Sequence, residues 1–122
     1  MIECKLGEVE ARFADLIWEN EPLPSRKLAE LAETTLEWKK STTYTVLKRL
    51  CERGLFRNEG GVVTSCISKA EFHARQSEKF VDDTFNGSLP AFLAAFSSRK
   101  KLTSAQIEEL EALIAAMREE NE

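Results

Sequence analysis

A single histidine, His73, is all the imidazole in this 122-residue chain, so no multi-histidine metal centre is built within one copy. Cysteine is scarce too. Cys4, Cys51 and Cys66 are odd in number and widely spaced, which gives neither a disulfide framework nor paired zinc-ligand spacing and points to reduced thiols. The five glycines lack phosphate-loop or dinucleotide-fold spacing. No apolar run approaches the roughly 18 residues of a spanning helix, and MIECKLGEVEARF carries charges where a signal peptide has its apolar stretch. The expectation is a cytoplasmic protein without membrane insertion. A nucleophile pairing Cys51 or Cys66 with His73 is disfavoured, because Cys51 falls on an inward helix stripe where a thiol is inert. A non-enzyme without metal or cofactor is expected.

The composition, 43% apolar and 31% charged, is that of a soluble globular chain, long enough for one domain or a smaller domain with an appendage for assembly. A net charge of −4 argues against a polyanionic partner, but the charge is unevenly placed. Lys39, Lys40, Lys48, Arg49, Arg53 and Arg57 face one acid, Glu52, between Trp38 and Arg57. From Ser68 onward acids outnumber bases. A basic segment within an acidic chain is the footprint of local contact with nucleic acid, with an ordinary solvated face as the alternative.

Val9, Phe13, Leu16 and Ile17 repeat at helical spacing between Gly7 and Asn20, and EPLP ends that helix because each proline removes an N–H donor. Ser25 is placed to cap a second helix with Leu28, Leu31 and Ala32 inward, and Ser41 to cap a third that Gly54 stops. In the third helix Leu47, Leu50 and Cys51 face inward. Ser41, Thr42, Thr45, Lys48, Arg49 and Glu52 gather opposite them, with Tyr44 at the edge, at about 100° per residue. Small hydroxyl side chains at a helix N-terminus let the backbone approach base edges, and flanking cations reach phosphates. Two strand-like pieces, Leu55 to Asn58 and Val62 to Cys66, then flank a Gly60-Gly61 turn. Three helices followed by a hairpin is the order of a winged helix-turn-helix, here residues 1–67.

Residues 68–122 read as helices. Ser68 with Glu71 and Thr103 with Gln106 have capping-box spacing, stapled by Ile67 with Phe72 and Leu102 with Ile107. NGSLP separates a helix ending near Phe85 from one carrying Leu89, Phe92, Leu93 and Phe96, and a last helix carries Ile107, Leu110, Ile114 and Met117. A segment of about 55 residues is too small to bury these stripes alone. A second copy supplies the missing surface through a two-fold interface, the alternative being packing onto the first domain. The predicted fold is thus mainly α with a small β-hairpin, a winged helix-turn-helix domain followed by C-terminal dimerisation helices.

Three stretches, LGEVEARFADLIWENEPLP, KKSTTYTVLKRLCERGLFR, and FNGSLPAFLAAF with LTSAQIEELEALI, make the chain resemble the penicillinase repressor and methicillin-resistance repressor family of bacterial winged-helix regulators. The resemblance implies a homodimer on an inverted-repeat operator of double-stranded DNA, repressing a resistance or homeostasis operon. It implies Thr42, Tyr44, Thr45 and Arg49 as recognition contacts; Lys39, Lys40, Ser41 and Lys48 are added by their placement on and before the helix. It also implies a sensor protease that relieves repression, although Ala95 stands before Phe96 where the family's cut bond has Asn. No cysteine follows Cys66, which excludes the copper-responsive branch's C-terminal motif. Asn58 to Ile67 has no Lys or Arg, unlike the family's basic wing. Two other readings stay open here: a winged-helix protein-interaction module without specific DNA binding, and a thiol-based redox-responsive regulator using Cys4, Cys51 or Cys66.

Overall fold

The computed structural model describes residues 5–122. In chain order the elements are α1 (Glu8–Asn20), β1 (Leu23–Pro24), α2 (Ser25–Leu36), α3 (Lys40–Glu52), β2 (Phe56–Glu59), β3 (Val62–Ser65), α4 (Lys69–Phe85), α5 (Leu89–Arg99) and α6 (Ser104–Glu120). Packing divides the chain into two compact units, Met1–Lys79 and Phe80–Glu122.

The first unit is a winged helix. Its α1 starts at Gly7, whose N–H donates to Glu10 Oε1 at 3.0 Å and completes half of a capping box. Phe13, Ala14 and Ile17 turn that helix into the core. Val9, expected on the same stripe, lies in the first turn of α1 and is 47% exposed. The N-cap of α2 is Pro24, and Ser25 is the first helical residue, its N–H bound to Gly61 O at 2.7 Å instead of its side chain capping the helix. That bond exists because EPLP is more than a breaker. Leu23 and Pro24 pair with Val63 and Val62, so the expected hairpin is a three-stranded antiparallel sheet of order β1-β3-β2.

Phe56 to Glu59 pair with Ser65 to Val62 across Gly60-Gly61, both at positive φ as a two-residue primed turn requires. The wing is fixed to α1 at two places. Glu21, just past α1, accepts from Ser65 N–H at 2.9 Å and from its hydroxyl at 2.7 Å. The Trp18 indole N–H donates to Ile67 O at 3.0 Å while its ring packs on Phe56 and Phe72. Phe72 thereby brings the start of α4 into the first core, and Ser68 Oγ accepts from Glu71 N–H as a helix cap should. The centre of the unit is Phe13, Ile17, Leu28, Leu47, Leu50, Leu55, Phe56 and Val63, all nearly inaccessible and each worth about 1.5–3 kcal/mol in burial.

The second unit has a different character. The turn after Phe85 uses Asn86 and Gly87 at positive φ, and Ser88 caps α5 by accepting from Ala91 N–H. Thr103 and Gln106 form the reciprocal capping box of α6, with bonds of 3.1 and 2.9 Å. Its helices are well terminated, yet no residue of α5 or α6 is fully buried.

Candidate nucleic-acid interface

The third helix is held from behind and open in front. Thr43, Val46, Leu47 and Leu50 are buried on one face. Lys40, Ser41, Thr42, Tyr44, Thr45, Lys48 and Arg49 are exposed on the other, and Lys39 precedes them as the exposed N-cap. All eight residues expected to meet DNA thus lie on or next to one accessible helical surface. Ser41 does not cap the helix as expected: the helix begins one residue earlier, and Lys39 offers no side-chain hydrogen bond. The first turn accordingly has no side-chain cap, and its N–H groups and flanking lysines favour an anion.

Details of this face set what each side chain can do. Thr45 Oγ1 donates to Ser41 O at 2.9 Å, which commits its hydroxyl proton to the backbone and leaves the oxygen able to accept. Arg49 is 56% exposed but leans on Glu10 of α1 at 3.9 Å. In the wing, Arg57 pairs with Glu59 at 3.4 Å, so its one cation is offset by a neighbouring acid.

Cys51 is half-buried at the end of α3 and Cys66 is exposed beyond β3; Cys4 lies outside the described residues. Burial first, then the nearby Cys66 and Glu52 charges, push the Cys51 thiol up, so it stays protonated at neutral pH rather than activated. Among the described residues no three His, Cys, Asp or Glu side chains cluster as a metal site requires, and no helix is long and apolar enough to cross a membrane.

The second unit carries an apolar surface. Phe80, Leu89, Phe96, Ile107, Leu113, Ile114 and Met117 are each between 44% and 61% exposed. Phe85, Phe92, Leu93 and Leu110 are half-buried, and the rings of Phe80, Phe85, Phe92 and Phe96 touch in sequence at centroid distances of 5.6–6.3 Å. A groove of about 510 Å³ runs between α5 and α6, walled by Phe92, Phe96, Leu102, Leu110 and Leu113. The structure brings the nine residues expected at a dimer interface into this one unit.

Residues 6–116 match the family model described as penicillinase repressor. The chain belongs to the penicillinase repressor family. It is 24% identical over 110 residues to the penicillinase repressor of Bacillus licheniformis, an alignment covering 87% of this chain and 86% of that protein. Family membership makes the chain a transcriptional regulator of the repressor class, and the winged helix places that role on a fold suited to DNA.

Sequence reasoning missed several residues that shape these surfaces. Thr43 is wholly buried, and its spacing of four and seven residues from Leu47 and Leu50 places it on their inward stripe, a signal its hydroxyl obscures. Leu113 stands one helical turn from Leu110, a spacing that places it beside the last stripe. Phe80 joins the aromatic cluster five residues before Phe85, a separation that no single helical stripe signals. The pairing of Glu10 with Arg49 has no local signal at all.

Proposed function

We propose that this chain represses transcription as a homodimer, laying the exposed face of α3 from each protomer into successive major grooves of an inverted-repeat operator about 34 Å apart. The observation that carries the reading is the division of α3. Its rear is locked into the core, while Ser41, Thr42, Tyr44, Thr45, Lys48 and Arg49 are presented together, led by Lys39 and Lys40. Short side chains at the N-terminal end permit close approach to bases; long cations at both ends serve phosphates or a guanine edge.

Dimerisation through the second unit supports the same reading. Seven large apolar side chains left exposed in a 43-residue unit make a surface that water disfavours. A two-fold partner covers such a patch with its own copy. Phe85, Leu89, Phe92, Leu93, Phe96, Ile107, Leu110, Ile114 and Met117 form the proposed interface. Bivalency then raises operator affinity beyond that of one domain.

The test is selection of duplexes from a random-sequence library by the purified full chain, followed by mobility shift of the enriched duplex against a scrambled one, with sedimentation of the free protein. An enriched inverted repeat bound by a dimer is the expected result. Failure to enrich any duplex would overturn the reading and favour a winged helix used for protein contact, consistent with a wing whose Arg57 is offset by Glu59.

A further inference from the structure

Arg49 does not stand alone on the open face of α3. Its Nη1 lies 3.9 Å from Oε2 of Glu10, and Nη1 of Arg53, one turn further along, lies 3.5 Å from the same oxygen. The other carboxylate oxygen of Glu10 accepts from Gly7 N–H at the start of α1. Arg53 also donates to Lys5 O. Glu10 and Arg53 are thus anchored to the α1 N-terminus by backbone contacts, with side chains only 25% and 17% exposed. The outer guanidinium, that of Arg49, is the exposed member, 56% accessible.

We propose that Glu10 is a positioning residue for Arg49: it fixes the direction of the guanidinium before DNA arrives, and so sharpens discrimination between sequences. The proposal rests on the reading of α3 as the DNA-reading helix. Two physical effects give it a distinctive signature. A guanidinium already oriented loses less rotamer freedom on docking, and the planar fork of arginine rewards correct orientation at a base or phosphate. At the same time a carboxylate beside the interface repels phosphate in any sequence, which weakens indiscriminate binding. Glu10 offsets part of the positive charge at this end of α3, whose exposed guanidinium is that of Arg49. Glu10 therefore favours the specific complex and disfavours the random one, two effects that a merely structural residue does not combine.

The experiment measures affinity for the library-enriched duplex and for a scrambled duplex of equal composition, using full-length wild type, Glu10→Gln, Glu10→Asp, Arg49→Ala and the Glu10→Gln/Arg49→Ala pair. Glu10→Gln is expected to lower the enriched-to-scrambled affinity ratio about two- to five-fold, the range of a partly exposed ion pair, without loss on the scrambled duplex. In the Arg49→Ala background it should change the ratio no further. Glu10→Asp keeps the charge but withdraws it from Arg49, so it should lower the ratio without tightening scrambled binding; it carries the comparison if Glu10→Gln does not fold. An unchanged ratio, an equal loss on both duplexes, or the same loss with Arg49 absent would overturn the role of Glu10. A wild type that enriches no duplex would instead fail the DNA-binding reading itself, before any variant is measured.

Discussion

Salt concentration is the perturbation to which the proposed interface should respond most steeply. Each protomer presents four exposed cations on or beside the open face of α3, namely Lys39, Lys40, Lys48 and Arg49. If two copies set all of them against phosphates, eight displaced counterions give a slope of log K against log salt of about −7. Affinity should then fall by about four orders of magnitude between roughly 50 and 200 mM monovalent salt. Any cation used on a base instead of a phosphate makes the slope shallower, so this value is the steep limit. The wing adds little, because Arg57 is compensated by Glu59. Removing one cation per protomer isolates the effect: Lys40→Ala should flatten the slope by about 2 in the dimer and weaken enriched and scrambled duplexes alike. Fluorescence anisotropy of a labelled duplex across that salt range provides the readout. A slope near zero, or a wild-type slope unchanged by Lys40→Ala, would refute the assignment of this face to phosphate.

Three further outcomes follow from particular contacts. Leu89→Asp with Phe96→Asp alters side chains that are already exposed, so the fold should survive while sedimentation shifts from dimer to monomer; an unchanged mass would remove these residues from the interface. Trp18→Phe deletes the indole N–H that reaches Ile67 O and should cost about 1–2 kcal/mol in denaturant unfolding, with no loss expected if water replaces the bond without penalty. Because burial pushes the Cys51 thiol up, the folded state holds its proton longer than the unfolded chain. Its contribution is therefore complete below the ordinary thiol range near ~8.5 and declines as pH rises through and above it. Cys51→Ala should remove that alkaline decline, as read by unfolding at pH 7 and above pH 9; a decline identical in the variant would assign it elsewhere.

The two regulatory surfaces differ in how they meet water. The open face of α3 is polar and needs no cover, while its opposite face is packed into the core. The helical unit leaves apolar side chains outside because three helical segments are too few to enclose them, and the proposed two-fold partner would cover them. In the proposed reading dimerisation and DNA affinity are coupled through geometry: weakening one surface weakens the other's use.

Much of the architecture is legible residue by residue. Gly54 at positive φ ends α3, with Leu55 N–H returning to Leu50 O; Gly60-Gly61 turns the wing; Thr103 and Gln106 start α6. These signals are local, because a cap or turn is satisfied by groups within about five residues. The position of the recognition face also follows from helical periodicity, since Leu47 and Leu50 identify the side that must be inward.

Other features have no such local cause. Pro24 becomes a strand residue only because Val62 lies opposite it, and Ser25 gives up capping because Gly61 O meets its N–H.

By itself, then, the sequence determined where helices and turns begin and end, which face of α3 is polar, and which C-terminal side chains lack a core. Tertiary structure alone decided that Pro24 joins a strand, how the wing is tied to α1, and that Glu10 meets Arg49 and Arg53. The last contact joins residues as much as 43 positions apart. The physical reason is range: hydrogen-bonded caps and turns are closed by near neighbours, whereas burial and charge pairing depend on which distant surfaces pack together.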